Sequence, residues 1–276
     1  MGFLRKLEAR TARAGSSLCL GLDPQPDQFP PGLSHDAAGL EKFGRLLLES
    51  TTPYAAAVKA NLAFFEAFGS EGLRVLERLR AHLPPDIPFI ADAKRGDIGS
   101  TAERHVIALI DALGADAVTV NPYLGRDALE PFLTRRGIFV YLLCRTSNPS
   151  AAEVQELDVG GMPLYLRIAQ LAQSWAGERP NVGLVVGATA PADLARAREV
   201  APSMPFLVPG AGRQRGDVEA VMAYGPATAQ PASLRRGGAL LVNVSRAIAD
   251  AARTDDEDPG RALAIAASDW SARFRC

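Results

Sequence analysis

The chain is poor in the residues that build metal and redox centres. Three cysteines, Cys19, Cys144 and Cys276, are scattered over 276 residues. They make no C-x-x-C and no disulfide framework, which fits a reducing, cytoplasmic setting. The three histidines, His35, His82 and His105, stand apart with no H-E-x-x-H or His/Cys cluster, so no metal site is expected. Aromatic residues make up only 7%, so the core must be aliphatic. Neither charge sign dominates: 30 Lys and Arg stand against 31 Asp and Glu, for a net charge of −1. That balance speaks against a nucleic-acid scaffold or a polybasic membrane binder. No uncharged apolar run reaches the roughly 18 residues a membrane span needs. Met1–Ala14 carries charges throughout, at Arg5, Lys6, Glu8, Arg10 and Arg13, and so does not read as a secretory signal.

What the chain does have is alternation. Short apolar runs occur at Ser17–Leu22, Ala55–Lys59, Pro88–Lys94, Ala117–Val120, Ile138–Leu143, Val182–Val186, Phe206–Val208 and Ala239–Val244. Segments with helical spacing lie between them, marked by Leu40, Phe43, Leu46 and Leu47, then Leu73, Val75, Leu76 and Leu79, then Ile107, Leu109, Ile110 and Leu113. Strands and helices alternating at the spacing of a βαβ unit imply a parallel sheet with right-handed crossovers. Eight units in this length predict one α/β domain over residues 1–276, a (β/α)8 TIM barrel. An open doubly wound sheet is the competitor. It would normally carry a G-x-G-x-x-G after its first strand, and Leu20–Pro26 has none. Phe3–Ala14 is expected to close the barrel bottom. Three stretches exceed ordinary loop length, Asp23–Ser34, Arg145–Gly161 and Gly225–Gly238. As segments following strands 1, 5 and 7 they are candidate lids, with a plain surface insertion the other reading of the third.

Chemistry concentrates in Asp92-Ala93-Lys94-Arg95-Gly96-Asp97-Ile98-Gly99-Ser100-Thr101. Side chains alternate along a strand, so Ile90, Asp92 and Lys94 share one face and Phe89, Ala91 and Ala93 the other. The inner face then presents an acid and an ammonium at the strand's C-terminal end, where barrel enzymes place catalysis. Asp23 ends the first strand and Lys59 the second, with Asn61 facing the same way. Asp23, Lys59, Asp92 and Lys94 can therefore alternate in sign around one rim, each holding the next and keeping both lysines protonated. An ion pair that only closes the barrel mouth is the plainer reading, but buried pairs stabilise a fold poorly.

The D-x-K-x-x-D spacing of Asp92, Lys94 and Asp97, with the run Lys94–Thr101, resembles the signature of orotidine 5′-phosphate decarboxylases, in the form of their longer bacterial branch. Leu20–Pro24, Val58–Asn61 with Phe64-Phe65-Glu66, and Asn243–Arg246 are similar to that family at the matching strands. The resemblance runs from Asp23 to Arg246. It implies a homodimer with shared active sites and cofactor-free conversion of orotidine 5′-monophosphate to UMP and CO2. It also implies roles. Lys94 protonates C6 of the pyrimidine, and Asp92 sits against the departing carboxylate and orients Lys94. Lys59 holds Asp92 and a ribose hydroxyl, and Asp23 binds ribose. Asp97, with Ile98 and Thr101, crosses to the partner's site.

The phosphate end is expected on the loops after strands 7 and 8, where barrels often bind phosphate. Arg246 matches the family's phosphate arginine and Gln214 its loop glutamine, while Gly210 and Gly212 supply room or N–H groups. Arg213 and Arg215 read as rim charges. After strand 5 the family places a serine on the pyrimidine edge, which the resemblance puts at Ser147, with Thr146 one register step away. Cys144 reads as a buried apolar residue, since no histidine partners it in sequence, and His105 as structural. Two other readings stand. One is a Mg2+-dependent sugar-phosphate enzyme of the same superfamily, which would carry a Glu where this chain has Lys59, a cation that repels Mg2+. The other is a catalytically silent, UMP-binding barrel.

Overall fold

A computed structural model of the chain describes residues 2–177, 181–253 and 258–276. Eight parallel strands close into a barrel in sequence order: β1 Leu18–Leu22, β2 Ala57–Asn61, β3 Phe89–Arg95, β4 Ala117–Val120, β5 Phe139–Arg145, β6 Val182–Val186, β7 Phe206–Pro209 and β8 Leu241–Val244. The expected strands are all present, displaced by no more than two residues at an end. β8 pairs with β1 through Cys19 and Asn243, which completes the ring.

Strand parity sorts the residues as a barrel requires. Cys19, Ala57, Ile90, Ala117, Tyr141, Val185, Leu207 and Leu241, one from each strand, share the interior cluster. Their outward neighbours, such as Leu20, Val58, Ala91, Val118 and Leu142, pack beneath the helices. Gly183 is glycine for a steric reason. A Cβ there would lie 2.8 Å from the Tyr141 ring and 2.9 Å from the Phe139 ring. These two large rings fill the lower barrel, and Phe3 of the helix Phe3–Ala14 stacks on Phe139 at 4.8 Å. The first helix thus closes the barrel bottom, as its sequence suggests.

The surrounding helices bury one stripe each. In Ala37–Thr51 the carboxylate of Asp36 caps the N–H groups of Ala38 and Gly39, and Leu40, Phe43, Leu47 and Leu48 face inward. Gly44 leaves space for Leu79 of the neighbouring helix Gly69–His82. Two expected core positions are instead on the surface: Leu73 is 40% and Ile107 41% exposed. The reason for Leu73 is angular, since Val75, Leu76 and Leu79 already fill the buried stripe of that helix. Ile107 begins a wider π-type segment, Ile107–Ala112, whose buried residue is Leu109.

The loops divide between the two ends of the barrel. Asp23–Ser34 and Arg145–Gly161 leave the C-terminal ends of β1 and β5, on the face expected to act. Gly225–Gly238 does not join them. The helix Val218–Tyr224 returns the chain to the strand starts, so this segment feeds β8 from below. Its Ala227 and Ala232 pack with Phe3 and Leu7, and Arg235 pairs with Glu8. It is part of the barrel floor and not a lid.

Candidate active site

The C-terminal strand ends open on a cavity of about 600 Å3. Its charged wall is built by β1 to β4. Asp92 is 8% and Lys59 5% exposed. Lys59 Nζ donates to Asp92 Oδ2 at 2.8 Å and lies 3.8 Å from Asp23 Oδ1. Lys94 Nζ donates to Asp92 Oδ1 at 2.6 Å, and the Thr119 hydroxyl donates to the same oxygen at 2.7 Å. The Asn61 backbone N–H donates to Asp23 at 3.0 Å. The four expected charges are therefore contiguous and sum to zero.

Each charge holds the next. Burial pushes the Asp92 carboxyl up, but the adjacent Lys59 and Lys94 outweigh it and hold it well below the usual carboxylate range. Burial likewise opposes the Lys59 charge, and Asp23 and Asp92 together raise its pKa above the ordinary lysine value. Both groups stay ionised at neutral pH.

Alternation along β3 places Asp92 inward, but Lys94 arrives by a local irregularity. Between Ala91 and Arg95 the register against β4 shifts, and Lys94 takes φ +49°, a left-handed conformation uncommon for a side-chain-bearing residue. The Thr119 hydroxyl accepts from the Lys94 backbone N–H at 3.0 Å while bonding Asp92. Thr119 braces both groups, and sequence reasoning missed it. The signal was present: two positions beyond Ala117, it is polar at an inward place on a short strand.

The opposite wall comes from β5, β7 and β8. Gly210 has φ +95°, and a Cβ there would lie 3.0 Å from the Ser147 Cβ. That close approach lets the loops after β5 and β7 meet, and Ser147 Oγ donates to Gln214 Oε1 at 3.1 Å. At Gly212 a Cβ would sit 3.2 Å from both Ala247 Cβ and Val244 Cγ1, so this glycine seats the loop on β8. Arg246 lines the cavity and is exposed, with no carboxylate paired to it among the described residues. Arg213 also lines the cavity and leans on Asp250 at 3.8 Å, whereas Arg215 does not reach it.

Thr146 and Ser147 both touch the cavity, but their hydrogen bonds differ. Thr146 is bound into the loop: Gln155 accepts from its N–H at 2.8 Å and donates to its hydroxyl at 2.7 Å, and the hydroxyl donates to Asn148. Behind them stands a residue the sequence reading passed over. Arg145 is 8% exposed, and its guanidinium grips Asp193 and Glu156, each at 2.7 Å, and the Thr146 carbonyl at 3.2 Å. It ties the end of β5 to the loop that follows it and to the helix Pro191–Val200. Asp193 lies 48 residues away, beyond any local pattern.

Three expected residues lie outside this cavity. Asp97 turns its carboxylate to the Ile98 N–H, Ile98 is 62% exposed, and Thr101 is on the surface. Cys144 donates to the Tyr165 carbonyl, and burial pushes its thiol up to about 12, so it is no nucleophile at neutral pH. His105 is half-buried away from the cavity; desolvation, then Arg95, lowers its pKa. Among the described residues no three His, Cys, Asp or Glu side chains converge as metal ligands, and no helix is long and apolar enough to cross a membrane.

A parallel barrel with a fixed charge array on one side of its mouth, and glycines with an unpaired arginine on the other, has the build of an enzyme for a small anionic ligand. The chain belongs to the orotidine 5′-phosphate decarboxylase / HUMPS family, whose sequence model matches residues 16–259. It is 45% identical to the orotidine 5′-phosphate decarboxylase of Thermomicrobium roseum, covering 100% of this chain and 96% of that one. It is 46% identical to that of Roseiflexus castenholzii, over 90% and 89% of the two chains. Among solved structures it is similar to Leishmania donovani OMP decarboxylase, with a TM-score of 0.83 and 38% identity over 100% of this chain and 99% of that one.

Proposed function

We propose that this chain decarboxylates orotidine 5′-monophosphate to UMP and CO2, in the cytoplasm and within pyrimidine nucleotide synthesis, without a metal or organic cofactor. The observation that carries this reading is the Lys59–Asp92–Lys94 array, buried on two members and open at Lys94, whose side chain is 45% exposed at the cavity. Loss of CO2 breaks the bond from C6 to the carboxylate and leaves the electron pair on C6. The ring delocalises that pair poorly, so a positioned cation is the available stabiliser. Lys94 supplies the charge and then its proton to C6, yielding UMP. Asp92 aims Lys94 and faces the substrate carboxylate, and Lys59 keeps Asp92 ionised and placed.

The remaining assignments follow the two walls. Asp23 and Lys59 bind ribose hydroxyls. Ser147 reads the pyrimidine edge; it lines the cavity, while the Thr146 hydroxyl is engaged in its own loop. Gly210, Gly212, Gln214 and Arg246 take the phosphate. Asp97, Ile98 and Thr101 of one protomer complete the cavity of its partner in a homodimer. Their place outside the chain's own cavity and the exposure of Ile98 support that assignment.

The test is the loss of absorbance when orotidine 5′-monophosphate is added, with and without EDTA. Turnover unaffected by EDTA is expected. Tight UMP binding without turnover would leave a UMP-binding barrel. Turnover lost to EDTA and restored by Mg2+ would favour a metal-dependent relative.

A further inference from the structure

At the end of β8 two buried polar atoms lack a partner among the described residues. Asn243 is 9% exposed, and its side-chain oxygen is buried with no hydrogen-bond partner among the described residues. The Ser245 hydroxyl is in the same condition. Both residues line the cavity, next to Arg246. A serine ahead of a helical turn ordinarily caps it, yet Ser245 makes no side-chain cap to Arg246–Ala249. Buried polar groups are nearly always bonded, and those left over point to a missing partner.

Position and charge say what the partner is. Asn243 pairs in register with Pro209, immediately before Gly210. Ser245 packs so closely on β1 that a Cβ at Gly21 would come 2.4 Å from its own Cβ. These two residues thus stand between the glycine-bearing loop after β7 and the charge array. The array's carboxylates, Asp23 and Asp92, offer acceptors only and repel an anion. A phosphoryl group must therefore sit on the β7–β8 side. Its three outer oxygens each accept more than one bond, and the Arg246 fork can satisfy two of them. Arg213 already leans on Asp250. Gly210, Gly212 and Gln214 approach from the loop after β7, and on the β8 side the Asn243 amide and the hydroxyl of Ser245, just past the strand, both line the cavity and can meet the same group.

We propose that Asn243 and Ser245 are further ligand-binding residues, donating to the phosphoryl group of the bound nucleotide beside Arg246. The proposal rests on the decarboxylase reading for the identity of that nucleotide. No hydrogen bond to the side-chain oxygen fixes which way the Asn243 amide faces, so the ligand can turn its N–H2 inward.

The test compares UMP with uridine, which lacks the phosphate, as inhibitors of orotidine 5′-monophosphate turnover. Ser245→Ala and Asn243→Ala keep a Cβ and so keep the packing on β1. Each is expected to weaken UMP about ten-fold or more, the loss of a hydrogen bond to a charged group, and to leave uridine unchanged. Asn243→Asp places a carboxylate against the phosphate and should weaken UMP further than Asn243→Ala does, an order that a packing role would not produce. Melting temperatures without ligand check that the variants fold. Equal weakening of UMP and uridine, or no weakening of either, overturns the proposal. A wild-type chain that neither turns over orotidine 5′-monophosphate nor binds UMP overturns the decarboxylase reading instead.

Discussion

Replacing Lys59 with methionine removes the cation that Asp23 and Asp92 share. Methionine keeps nearly the length of the side chain, so the perturbation is mostly one of charge. The array then carries two carboxylates against Lys94 alone, and Lys94 is partly solvated while Asp92 is 8% exposed. Breaking a buried pair by deleting one partner costs about 3–5 kcal/mol, because the other charge stays desolvated. For a chain of this size that corresponds to a fall in melting temperature on the order of 10 °C. Urea unfolding at pH 7 measures the loss directly.

The pH dependence gives a second handle on the same variant. In the wild type the Asp92 pKa is depressed, so its contribution is present above the unfolded value, about 4, and is lost as pH falls through the folded value. Without Lys59 the folded pKa of Asp92 rises. The variant then protonates Asp92 earlier on acidification, and its deficit against wild type narrows as pH falls through that raised value. Adding Asp92→Asn to Lys59→Met removes the stranded charge and should recover a large part of the stability, though not the activity. A Lys59→Met protein within about 1 kcal/mol of wild type at pH 7 would refute the view that Lys59 compensates a buried charge, because deleting one member of a buried pair costs several times that. A double variant no more stable than the single one would refute it as well.

Two further outcomes are expected. Lys94→Ala and Asp97→Ala should each abolish turnover while keeping the fold by circular dichroism, and mixing them should restore about a quarter of the sites, since half of randomly formed dimers are mixed and carry one intact site. Mixed dimers with no activity would remove Asp97 from the partner's site. Arg145→Met should raise KM for orotidine 5′-monophosphate more than it lowers kcat, because it releases the loop bearing Thr146 and Ser147, and Arg145→Lys should recover only part, since an ammonium cannot fork between Asp193 and Glu156. A kcat loss with unchanged KM would place Arg145 elsewhere in the mechanism.

What could be read along the chain was whatever depends on near neighbours. Strand parity is local, so Ile90 and Asp92 were assigned inward and Phe89 and Ala91 outward from β3 alone. The charge quartet was legible because its members fall in or just past the C-terminal halves of three successive strands, which the barrel brings together. The Gly225–Gly238 segment was misplaced because Val218–Tyr224 has only seven residues, too few for a clear periodicity, and that helix decides which end of the barrel the segment occupies. Arg145 was passed over because an arginine at a strand end looks solvated until Asp193 and Glu156 are seen to enclose it. In the sequence Asn243 and Ser245 stand out only as neighbours of Arg246, since a missing hydrogen bond has no sequence signature.

The array is a poor device for stability, and that is the argument for its use. Burying Lys59 and Asp92 costs desolvation that their mutual attraction only partly offsets, and apolar residues of similar volume would hold the barrel at least as well. The surrounding structure nonetheless invests in them. Thr119 braces Asp92 and the Lys94 backbone together, and Lys94 is held in a left-handed conformation within an irregular strand. Such arrangements persist where a fixed charge geometry is needed before the ligand arrives, so that no reorganisation accompanies the reaction. The far wall has the complementary feature: among the described residues Arg246 has no carboxylate paired to it, and two polar groups at the end of β8 have no partner. One wall is electrically complete and the other is not, so the cavity should admit a ligand that brings its strongest negative charge to β8 and its reacting carbon to Lys94.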